Sequence, residues 1–72
     1  MSNESPKIYI GAHARSRLAE RGLDEEAVRA AILAPRMKSP THGCTRFAGD
    51  GGEIVIARRC MGGWYVHTVY KL

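Results

Sequence analysis

The stretch from His13 to Val28 constrains this chain more than any other part of it. Residues four apart lie nearly above one another on a helix. His13, Arg17 and Arg21 therefore form one polar stripe, and Ala14 and Leu18 a neighbouring apolar one. Gly22 stands where a left-handed residue ends a helix, and Arg21 before it suits the negative end of the helix dipole. Asp24 is a good N-cap, with Glu25 and Glu26 in the first turn behind it. Leu23 and Val28 are spaced for a hydrophobic staple. Ala27, Val28, Ala31 and Ile32 continue a buried face, while Glu25 can pair with Arg29 on the outside. Pro35 stops this second helix at Leu33 or Ala34. The stretch is a helix, a glycine stop, a capped restart and a second helix.

The rest of the chain reads as strands and turns. Residues 1–6 are polar and expected to be a flexible tail, and Lys7-Ile8-Tyr9-Ile10 alternates as a short first strand. Pro35 to Gly43, with Pro40 between them, reads as a long connecting loop. Cys44 to Ala48, Glu53 to Cys60 and Trp64 to Lys71 read as strands, separated by turns at Gly49 to Gly52 and Met61 to Gly63. The order β-α-α-β-β-β implies a single α+β domain over residues 7–72, its two helices packed on one face of a small antiparallel sheet. At 72 residues the chain is near the size at which one core suffices only marginally.

Turn lengths set which side chains share a face. A four-residue turn at Gly49 to Gly52 places Phe47 opposite Ile54, and a three-residue turn after Cys60 places Arg58 opposite Val66. The core face then holds Phe47, Ile54, Ile56, Trp64, Val66 and Tyr70. The other face carries Arg46, Arg59, Tyr65, His67 and Lys71. A slip of one residue at the second turn would instead put Tyr65 and His67 on the face of Ile54 and Ile56.

Charge narrows the partners. The net charge is +4 and eight of the eleven basic residues are arginine, whose planar fork matches phosphate. Nucleic acid or another anion is the partner this composition favours, and RNA is the candidate. No apolar run approaches the roughly 20 residues that span a bilayer, so no membrane partner is expected. Two cysteines without a signal-peptide pattern suit a reducing, cytoplasmic setting.

Metal-free RNA cleavage needs a group to take the 2′-hydroxyl proton, a donor to the leaving oxygen and a cation on the phosphate. His13 and His67 are the candidate proton carriers, with Arg17 and Arg46 as catalytic clamps. Arg21, Arg59, Tyr65 and Lys71 are candidate nucleic-acid contacts, Tyr65 by stacking on a base. His42, Cys44, Cys60 and His67 are metal-ligand types, but no CxxC or HxxxH spacing joins them, so no metal or other cofactor is expected. Cys44 and Cys60 do not pair in either register, so no disulfide is expected. The alternative is a protein-interaction domain in which the His/Arg stripe only stabilises the packing of helices on sheet.

His13-Ala14, Arg17, Arg21-Gly22-Leu23 and Val28, with Thr68-Val69 near the end, resemble a widespread bacterial family of small domains of unknown function. Its pattern is HA-x-x-R-x-x-x-R-G-hydrophobic, then a Val, with a terminal strand near Thr-Val. The resemblance runs from about Gly11 to Tyr70 and is most specific in the helical half. The family is similar to the RelE, ParE and BrnT toxins, which pack a helical pair on an antiparallel sheet. The resemblance implies a RelE-like fold, His13, Arg17 and Arg21 as signature positions with Thr68 a lesser one, and toxin-like ribonuclease activity with an antitoxin-like partner. Gyrase poisoning, as in the ParE-like relatives, would need no acid/base pair.

Overall fold

A computed structural model describes residues 6–72. The expected tail falls almost entirely on residues 1–5, outside the described part. The elements are β1 (Lys7–Ile10), α1 (Ala12–Arg21), α2 (Glu25–Leu33), β2 (Met37–Thr41), β3 (Cys44–Ala48), β4 (Glu53–Cys60) and β5 (Gly63–Lys71).

The helical pair forms as its local signals dictate. Gly22 takes φ 68°, and Leu23 N–H reaches back to Leu18 C=O at 2.9 Å, a Schellman closure with apolar residues at both ends. Asp24 caps α2, its carboxylate accepting from Ala27 N–H at 3.0 Å. Glu25 pairs with Arg15 of α1 rather than with Arg29, so this ion pair ties the two helices together. Ala14 and Leu18 of α1 and Val28, Ala31 and Ile32 of α2 are buried.

The sheet has five strands in the order β1-β5-β4-β3-β2. This corrects the expected architecture in two respects. The sheet is mixed, because β1 lies parallel beside β5, with Ile8 level with Trp64 and Ile10 level with Val66. The segment read as a loop contains β2, which pairs antiparallel with β3 through the two-residue turn His42-Gly43. β2 is an edge strand, and an edge tolerates Pro40 because its missing N–H leaves no interior ladder bond unmade.

The registers also differ from those expected. Gly49 N–H donates to Glu53 C=O at 2.8 Å, so the turn proper is Asp50-Gly51-Gly52, with Gly52 at φ 89°. Phe47 therefore opposes Val55, not Ile54, and Ala48 opposes Ile54. The β4–β5 turn is Met61-Gly62, and an irregularity between Ile56 and Ala57 leaves His67 as an extra residue on β5. The core face accordingly carries Phe47, Val55, Ala57, Val66 and Val69 under both helices, with Ile8, Ile10, Leu23 and Trp64 packed at its margin. Ile54, Ile56 and Tyr70, expected in that core, lie on the opposite face.

Candidate nucleic-acid interface

Both helices cover one face of the sheet, and no described element covers the other. Strand alternation and the pairings arrange the open face in rows running across the strands. The first row holds Lys7, Gly63 and Cys60. The second runs Tyr9, Tyr65, Arg58 and, one step beyond Thr45 opposite Ala57, Cys44 and then Thr41. The third holds Thr68 with its bulge neighbour His67, then Ile56, Arg46 and Ser39. The fourth is Tyr70, Ile54, Ala48 and Met37, which is apolar except for one hydroxyl.

Basic groups occupy the first three rows, as Lys7, Arg58 and Arg46. Among the described residues no acidic side chain shares the face: Glu20, Asp24, Glu25 and Glu26 belong to the helical pair, Glu53 faces the helix side opposite Lys71, and Asp50 sits in the β3–β4 turn. None of the ion pairs or side-chain hydrogen bonds of the described residues engages Lys7, Arg46 or Arg58. Unneutralised cations on a surface without carboxylates produce a positive field.

The aromatic groups interlock with these cations. The Arg58 guanidinium lies 5.8 Å from the Tyr65 ring centre, and the Tyr65 and His67 rings meet edge to face at 5.4 Å. A Cβ on Gly11 would collide with the Tyr65 hydroxyl, so the absence of a side chain at residue 11 lets that ring lie where it does. The bulge turns His67 and Thr68 toward the same side, beside Tyr65 and opposite Ile56. His67, Arg58 and Arg46 therefore surround the half-buried Ile56.

The sequence-predicted residues divide between two layers. Arg46, Tyr65 and His67 share the open face as expected. Arg59 and Lys71 do not: Arg59 stacks over Trp64 at 5.3 Å on the helix side, and Lys71 opposes Glu53 there. The shorter β3–β4 turn moves Arg59, and the bulge at His67 moves Lys71. His13, Arg17 and Arg21 lie on α1, in the helical layer, where Arg17 bonds Glu20 at 2.8 Å while His13 and Arg21 are exposed. Arg58, Tyr9 and Tyr70 were missed by sequence reasoning. Arg58 was assigned to the core side through the register, although the glycine at position 52 is a signal for the shorter turn actually formed.

Comparison with protein-family models, with curated proteins and with solved structures finds no match. Among the described residues no group of three or more His, Cys, Asp or Glu side chains is placed to hold a metal ion. Cys44 and Cys60 are free thiols. A cavity of about 300 Å³ lies at the β4–β5 turn, lined by Pro6, Arg59, Cys60, Gly62, Gly63 and Trp64, and includes neither His67 nor Arg46. No helix of the described residues is long and apolar enough to cross a membrane.

Proposed function

We propose that this chain binds single-stranded RNA on its open sheet face. The observation that carries the reading is one uncovered face bearing Lys7, Arg46 and Arg58, three tyrosines and His67, and no carboxylate among the described residues. Unpaired bases stack on aromatic rings and guanidinium planes, while phosphates bind the cations. A paired helix would keep its bases stacked inside, out of reach of an open sheet face. The resemblance of His13-Ala14, Arg17 and Arg21-Gly22-Leu23 to the family similar to the RelE, ParE and BrnT toxins supports the same reading, and with it a RelE-like fold and a cytoplasmic place of action.

His67 is the group on this face suited to move a proton. In metal-independent cleavage it would take the 2′-hydroxyl proton as that oxygen attacks the adjacent phosphorus. The 5′-oxygen then leaves with a proton from solvent or Tyr65, giving a 2′,3′-cyclic phosphate and a free 5′-hydroxyl. Arg46 and Arg58 would hold the phosphate. His13, on α1, is left outside this scheme.

A labelled single-stranded RNA titrated with the protein in EDTA tests both parts. The wild type is expected to bind with a strong salt dependence, and Arg46→Ala with Arg58→Ala to weaken binding at least tenfold at low salt. Cyclic-phosphate products that vanish in a folded His67→Ala variant would establish cleavage, whereas intact bound RNA would leave a binding module. Absence of binding at low salt would remove RNA as the partner. The exposed apolar Met37 and the internally paired Arg17 would then favour a protein-interaction domain with a partner of the antitoxin kind.

A further inference from the structure

The rows of the open face differ along the strands far more than across them. Moving along β4 from its turn with β5, the open-face residues are Cys60, Arg58, Ile56 and Ile54, so charge ends at the second position. Along β3 they are Cys44, Arg46 and Ala48. Beyond lie Ile54, only 1% exposed, Met37, 66% exposed, and the turn carrying Asp50. A polyanion laid parallel to the strands would meet its last cation, Arg46, in the third row and then pass over the apolar fourth row toward a carboxylate. Laid across them, it meets Tyr9, Tyr65 and Arg58 in succession and ends at Thr41, beside the exposed His42 of the β2–β3 turn, with Arg46 one row away.

We infer that the bound strand crosses the β-strands along the row Tyr9, Tyr65, Arg58, Cys44, Thr41, with a short footprint, an inference that rests on the RNA reading above. Four inter-strand spacings of about 4.8 Å give a track of roughly 19 Å. That length takes about four nucleotides, the low end of site sizes for single small sheets. Bases stack at the Tyr9–Tyr65 end and phosphates meet Arg58, Arg46 and Lys7. Three such contacts to a single strand give a slope of log K against log salt of about −2.

The test is fluorescence anisotropy with labelled oligouridylates of two to ten nucleotides, on the wild type and on single-site variants. Affinity is expected to climb to about four nucleotides and then to rise only as the number of equivalent registers does. Thr41→Glu, at the far end of the row, is expected to weaken binding at least fivefold and Thr41→Lys to strengthen it. Met37→Glu, on the same edge strand but in the apolar row, is expected to change affinity less than twofold. The lysine variant keeps the comparison decisive if the glutamate variant unfolds. Binding that ignores both charges at Thr41 while falling in Met37→Glu or Tyr70→Ala would overturn the transverse path and leave RNA binding standing. A wild type that binds no oligomer would overturn both.

Discussion

His42 shows how one residue can set local geometry against sequence preference. It has φ 48°, and with Gly43 at φ 79° it forms the two-residue turn joining β2 to β3. Such turns place both central residues in the left-handed region, where asparagine followed by glycine is best accommodated. A histidine there strains the backbone, and Asn is more tolerant. His42→Asn is expected to stabilise the fold by about 0.5 kcal/mol, read as a small rise in urea midpoint with unchanged slope. A loss of stability would mean that the imidazole makes contacts which outweigh its backbone cost. The turn lies at the end of the inferred RNA track, so the same variant separates backbone strain from ligand contact: a fall in affinity without a fall in stability assigns His42 to binding.

Among the elements, α2 depends most on a single identifiable contact at its start. Asp24 accepts from Ala27 N–H at 3.0 Å and stands before two glutamates in the first turn. Asp24→Ala is expected to cost about 1 kcal/mol, lowering the melting temperature by roughly 4 to 8 °C for a domain of this size. A shift under 1 °C would show that packing of Val28, Ala31 and Ile32 alone holds the helix. These helices were legible because their signals are local: a glycine stop, a cap and a 3.6-residue apolar period all lie within a few residues of the structure they determine. β2 was hidden for the opposite reason. Its sequence, Met37-Lys38-Ser39-Pro40-Thr41, has no apolar alternation and contains a proline that only an edge position excuses. Arg46, Tyr65 and His67 could be placed together because their strands were recognised. Arg58 and Arg59 exchanged sides because one residue of turn length at Asp50-Gly51-Gly52 reverses the strand that follows it, and Tyr9 escaped notice because no local signal says where the first strand joins the sheet.

The whole molecule is two layers with one shared core, and Phe47 is near its centre. Phe47 is 1% exposed and meets the Trp64 ring edge to face at 5.0 Å, joining β3 to β5 beneath the helices. Phe47→Ala is expected to cost about 3–5 kcal/mol, a large share of the roughly 4 to 11 kcal/mol typical of a chain this long. Chemical denaturation would show the wild-type transition shifted toward zero denaturant, and retention of most of the stability would mean that α2 resettles into the space.

The parallel pairing of β1 with β5 carries its own consequence for how the molecule comes into being. Lys7 is matched with Gly63 and Ile10 with Val66, so the first described strand is completed by the last. During synthesis β1 leaves the ribosome long before its neighbour exists. The helical pair can form early from local contacts alone, while β1 waits unpaired until β5 has been made. Closing so long a loop is entropically slow, and the event that completes the sheet is also the last to become possible. Tyr9 reaches its place beside Tyr65 only at that moment, so the open face exists only once β5 has joined β1.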